Sequence, residues 1–264
     1  DPESFFKQCF GGDRFVDIIG EISLARDFKN MMIDGEEENE VELSPEEKKL
    51  KDKADSEQRE RELNERINAL AKNLIDKMSS YTEHESRDSE EKFKQKIINE
   101  VEELKYESFG VELLHTIGNI YSLKAKRYLD SQQSHRIFNF AKETGHFFTD
   151  TYSTLSDTYS TLKSTIQLQK TGTSLRDADK NGIDQAEKDQ LEQEFATKGL
   201  NVMWQGSRLE VMGVIRQVCD RILGDITIPK SRLMSRARGL KIIGDLYLAC
   251  EPVQPPTEEV PQQA

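Results

Sequence analysis

This chain is poor in the residues that metal-binding and catalytic patterns use. Its four histidines, His84, His115, His135 and His146, never stand three or four positions apart, and neither H-E-x-x-H nor C-x-x-C occurs. The usual zinc patterns are therefore excluded, and no metal or other cofactor is expected. G-x-S-x-G, the Walker A loop and the dinucleotide-binding glycine pattern are also missing, so nothing in the sequence supports an enzyme. Cysteine is scarce: Cys9, Cys219 and Cys250 are odd in number and far apart. That spacing fits reduced thiols in a cytosolic protein and argues against a disulfide framework. No apolar run approaches the ~18 residues of a membrane span, and no signal peptide is expected. Proline gathers near the two ends. Pro229 alone interrupts the stretch from residue 46 to 251, which is otherwise free of this helix breaker. Positive charge is short as well: the net charge of −12 argues against general nucleic-acid binding.

What the chain does have is charge on helical patterns. Charged residues make up 33% and apolar ones only 35%, a balance that suits long exposed helices better than a compact α/β enzyme. The charge is uneven. Residues 34–47 carry Asp34, Glu36, Glu37, Glu38, Glu40, Glu42, Glu46 and Glu47 with no basic residue. Like charges at this density repel, so this run reads as a solvated linker. Residues 230–241 carry Lys230, Arg232, Arg236, Arg238 and Lys241 with no acid. This cluster is either a plain exposed helix face or a contact for anionic lipid or an acidic partner.

Helical periodicity runs through most of the chain. Phe15, Ile18, Ile19, Ile22 and Phe28 form an apolar stripe that predicts a helix over 13–32. Ser44, Pro45 and Glu47 read as a helix start with a capping box. The helix that follows should reach about Ser80, with a seam of Leu63, Ile67, Leu70, Leu74 and Met78 in its second half. Phe93, Ile97, Val101 and Leu104 predict a core-facing helix over 89–107, and Gly110 marks the break before a helix over 111–130. Phe148, Tyr152, Leu155, Tyr159, Leu162 and Ile166 keep a heptad pattern through the repeat TYSTLSD-TYSTLKS. Helices over 183–198 and 200–223 should be separated by Gly199, and a last one should cover 230–249. The expected fold is all-α: an elongated multi-helix bundle with coiled-coil-like helices, an acidic linker and a disordered C-terminal tail. Its divisions are an aromatic and apolar N-terminal segment and helix (1–32), the linker (33–47), a helical domain (48–249) and a tail rich in proline and glutamate (250–264).

Three local features need an explanation. Asp177, Asp179 and Asn181 open like a calcium loop, but Lys188 stands where the bidentate glutamate belongs. A turn leading into the next helix explains them better. The segments from Leu114 to Tyr121 and from Leu240 to Tyr247 share the form L-x-x-I-G-x-[IL]-Y. A glycine inside a helix costs about 1 kcal/mol relative to alanine. Close approach of two helices is the simple compensation. Trp204, the single tryptophan, reads as a core anchor or as an interaction hot spot.

Residues 1–28 (DPESFFKQCFGGDRFVDIIGEISLARDF), 107–129 (ESFGVELLHTIGNIYSLKAKRYL) and 198–223 (KGLNVMWQGSRLEVMGVIRQVCDRIL) together resemble the region that follows the J-domain in DnaJ-X-type Hsp40 co-chaperones. The resemblance implies a non-catalytic region that binds clients or partners, with Hsp70 recruited in the full-length protein through a J-domain. The J-domain's His-Pro-Asp tripeptide does not occur in these residues, so this region by itself is not expected to stimulate Hsp70. Unfolded or precursor proteins are the implied clients. The implied location is the cytoplasm, with the nucleus or the periphery of organelle membranes as further sites. Phe5, Phe6, Phe10, Phe15, Ile19 and Trp204 are the candidate partner-binding residues. Two alternatives stay open: a peripheral module for anionic lipid through Lys230, Arg232, Arg236, Arg238 and Lys241, and a coiled-coil module that forms homodimers.

Overall fold

The computed structural model describes residues 12–23, 44–133 and 185–252. Among these residues there are six α-helices and no strand. A 3₁₀ turn, Asp13–Phe15, leads into α1 (Val16–Ile19); α2 (Pro45–Thr82), α3 (Arg87–Leu104), α4 (Gly110–Gln133), α5 (Gln185–Leu223) and α6 (Lys230–Leu248) follow. The heptad seam over 148–166, the calcium-like loop, Phe5, Phe6, Phe10 and most of the acidic run lie outside the described residues.

Helix α2 starts as its sequence requires. The Ser44 hydroxyl accepts from the Glu47 amide at 3.3 Å, and the Glu47 carboxylate accepts from the Ser44 amide at 2.9 Å. Pro45 occupies the first turn, where no amide hydrogen is needed. At 38 residues α2 is ~57 Å long. Its side chains from Lys49 to Arg61 are all exposed. Beyond them Ile67, Leu70, Leu74 and Met78 are buried, with Leu63 packed at the edge. The seam seen in the sequence is thus filled by the chain's own helices. In α3 the stripe Phe93, Ile97, Val101 and Leu104 faces the core as expected.

Helix α6 lies at the centre and packs against α2, α3, α4 and α5. Its tightest partner is α4, and the two related octapeptides meet there. A methyl group on Gly118 would lie 2.8 Å from the Gly244 carbonyl oxygen, and one on Gly244 would lie 2.6 Å from the Ser122 amide nitrogen. Gly118 also faces Leu248, four residues beyond Gly244, just as Gly244 faces Ser122, four beyond Gly118. His115 contacts the Cys250 carbonyl at 2.8 Å, and Ser122 donates to Asp245 at 2.7 Å. The chain directions are therefore opposed, and the crossing has an internal pseudo-two-fold. Leu114, Ile117, Leu240 and Ile243 surround it, all fully buried.

Two expectations are corrected. The stripe over 13–32 predicts one helix, but α1 ends at Ile19 because Gly20 takes φ 72° and ψ −172°, a backbone state that side chains disfavour. Gly199 does not break the chain into separate helices: α5 runs through it unbroken for 39 residues. An isolated glycine weakens a helix by about 1 kcal/mol, less than is needed to end one when the flanking residues favour helix.

Candidate partner-binding groove

Helices α4 and α5 run parallel. At one end the Phe109 ring stacks on Trp204, with centroids 4.2 Å apart and planes 12° from parallel. At the other, Lys124 meets Asp220 at 2.6 Å. Between these contacts lies a groove of about 590 Å³. One wall is Trp204, Arg208, Met212 and Arg216, four side chains spaced one per turn along α5. Facing them on α4 are His115, Asn119, Leu123 and Arg127, with the same spacing, and Ile120 between them. Leu248 of α6 closes the end beside His115.

The groove joins apolar surface to positive charge. Leu123 and Leu248 stay 45% and 42% exposed, a high value for leucine in a helical bundle. Arg127 and Arg208 are exposed and Arg216 is half-buried. The Lys124 ammonium is matched by Asp220, whose carboxyl is raised by burial and pulled back by the lysine. Phe109 holds its ring on Trp204 from a left-handed backbone, φ 54°, which is unfavourable for a non-glycine residue. Trp204 itself is buried, so its indole forms the floor at this end of the groove.

Residues 63–262 match the DnaJ-X family, described as the X-domain of DnaJ-containing proteins. A J-domain-containing protein of Schizosaccharomyces pombe, itself uncharacterised, is 36% identical over 259 residues, which are 96% of this chain and 71% of that protein. The chain belongs to the DnaJ-X family. Two Saccharomyces cerevisiae proteins, DnaJ-like protein 1 and Protein CAJ1, are 35% and 27% identical over 81% and 94% of this chain. The chain spans 53% of the first and 70% of the second. No solved structure matches it. Membership makes this a non-catalytic region, the client- or partner-binding portion of a J-domain co-chaperone of the Hsp40 type.

In this DnaJ-X region three of the basic residues of α6, Arg232, Arg236 and Arg238, reach across to neighbouring parts of the chain. Arg232 donates to the Thr82 carbonyl at 2.7 Å, at the last residue of α2. Arg236 donates to the Ile222 carbonyl at 3.1 Å, in the last turn of α5, and lies 3.5 Å from Asp225. Both guanidinium groups thus satisfy orphan carbonyls at the negative ends of neighbouring helices. Arg238 makes two hydrogen bonds to Glu85, at 2.7 and 3.0 Å. Burial would raise the Glu85 carboxyl, but this pairing outweighs it and holds the group below its ordinary value. Lys241 pairs with Asp245 at 2.5 Å. Lys230 is exposed.

The other candidate residues are placed as follows. Phe15 and Ile19 are buried, and α1 packs against α2 and α5. Arg66 fixes this segment: it donates twice to the Ile19 carbonyl, at 2.6 and 2.9 Å, and meets Glu210 at 2.5 Å. Glu210 in turn accepts from the Ser23 amide at 2.8 Å. Among the described residues there is no cluster able to hold a metal ion, and no helix is long and apolar enough to cross a membrane. Sequence reasoning found Trp204 but missed Leu123, Arg127, Arg208, Met212 and Arg216. The four-residue spacing from Trp204 to Arg216 was the available signal.

Proposed function

We propose that this DnaJ-X region selects protein clients for an Hsp70 machine, while a J-domain elsewhere in the full-length protein recruits Hsp70 and stimulates its ATP hydrolysis. The α4–α5 groove carries the reading. It offers apolar side chains that the bundle leaves uncovered, beside an aromatic pair and long cationic side chains, which is what an exposed hydrophobic segment of a client needs. The cytoplasm is the proposed compartment, and Cys219 and Cys250, buried free thiols, suit a reducing one. Recruitment to anionic membranes through α6 has less support, because Arg232, Arg236, Arg238 and Lys241 already hold partners within the chain.

The test is suppression of aggregation of a chemically unfolded model client. Leu123→Asp combined with Leu248→Asp places two carboxylates where the groove is apolar, at positions exposed enough to tolerate them. The expected outcome is loss of suppression with an unchanged helical circular-dichroism spectrum and melting temperature. Full suppression by the double variant would reject the groove as the client site.

A further inference from the structure

We infer that the groove takes an extended peptide segment of a partner protein in which apolar side chains are flanked by carboxylates. This rests on the client-binding reading and names the chemistry it prefers. Arg127 and Arg208 line the groove with no hydrogen bond or ion pair among the described residues, Arg216 lines it while its charge also acts on Asp220, and Glu112 is the lining carboxylate besides them. The cations come from both walls, Arg127 from α4 and Arg208 and Arg216 from α5, so a bound segment has guanidinium groups on either side of it. The whole chain carries −12. A positive strip on such a molecule is a local inversion of field, which draws an acidic segment here and repels it elsewhere.

The geometry suits side chains of a peptide. From Trp204 to Arg216 the wall rises ~18 Å, the length of about five residues of extended chain. Leucine-sized groups can contact Leu123, Met212 and Leu248, while glutamate or aspartate neighbours reach the rim, where a guanidinium can grip a carboxylate with two parallel hydrogen bonds. Arginine suits this use better than lysine because its charge persists and its donors are fixed in a plane.

Trp204 gives the readout, because it is the single tryptophan and lines the groove. The intact 264-residue chain is titrated with short peptides that share a Leu-Phe-Leu core flanked by glutamates, glutamines or lysines, and Trp204 emission is followed. The glutamate peptide is expected to bind about tenfold tighter than the glutamine peptide, the effect of a few exposed ion pairs acting together. Raised salt should shrink that advantage. In the double variant Arg127→Glu, Arg208→Glu, both positions being exposed, the order should reverse in favour of the lysine peptide. Equal binding of the glutamate and glutamine peptides overturns the inference and leaves client binding intact. If no peptide changes the emission, the groove fails as a client site too. A response to phosphatidylserine vesicles and to no peptide also overturns it, with a membrane as the occupant.

Discussion

Gly118 and Gly244 face each other across the α4–α6 crossing, and the space a methyl group would need is taken by backbone atoms. Backbone cannot swing aside as a side chain can. Gly118→Ala or Gly244→Ala should therefore destabilise by about 1–3 kcal/mol, the usual cost of overpacking, in spite of the gain in helix propensity. Gly239 is the contrast: a methyl there would meet the Met78 sulfur at 3.1 Å, the flexible end of a side chain. Gly239→Ala should be close to neutral. Thermal melts of the three variants check this, and equal melting temperatures would remove the crossing from any special role. The glycines were legible as a repeated motif, and close helix approach was the expectation drawn from it. That the two copies meet each other was not legible, because a motif shows what a position needs and not which helix supplies the neighbour.

Helix α2 shows how much an element's own sequence settles. Its capping box and its stripe from Leu63 to Met78 were legible, since caps and four-residue spacings are local. The first half stands exposed from Lys49 to Arg61, so its helix depends on propensity and on pairs such as Lys53 with Glu57. Asp52→Pro should fray the start of α2 and lower the global unfolding free energy by less than about 1 kcal/mol. Ala71→Pro, in the buried half, should cost about 3 kcal/mol or more. Denaturant titrations separate the two; similar losses would mean that the exposed half is coupled to the core. Helix α6 makes the opposite point. Its run of basic residues reads as a plain exposed helix face or as a contact for lipid or an acidic partner. In the fold Arg232 and Arg236 close the carboxyl ends of α2 and α5. A charge run looks the same in sequence whether it meets water, a partner or the end of a neighbouring helix.

At the scale of the whole molecule, Arg66 is the most buried polar clamp on the segment 12–23, beside weaker ties from Asn73 to the Asp17 carbonyl at 3.3 Å and from Arg14 to Glu107 at 3.3 Å. Arg66 grips the Ile19 carbonyl and Glu210, linking α1, α2 and α5, and Gly20 lets the guanidinium lie against the backbone, where a methyl group would be 2.7 Å from Nε. Arg66→Met should loosen this segment before the bundle melts, because the helices keep their own core. Brief trypsin treatment should then cut at Arg14 in the variant and spare it in the parent, as read by mass spectrometry. Resistance in both would show that burial of Phe15 and Ile19 holds the segment without the clamp.

The all-α class, the helix start at Ser44, the core stripes of α2 and α3 and the likeness to DnaJ-X proteins were determined by the sequence alone. Each depends on residues within a few turns of one another or on stretches of matching order. Only the tertiary structure decided that α1 stops at Gly20, that Arg232 and Arg236 of α6 cap the ends of α2 and α5, and that the two octapeptides meet. The groove belongs with these. Its walls join Leu123 and Arg127 to Arg208 and Met212, residues far apart in the chain that parallel packing of α4 and α5 brings side by side. Periodicity tells which face of a helix is apolar or charged; which other face it meets is set by how all the helices pack at once.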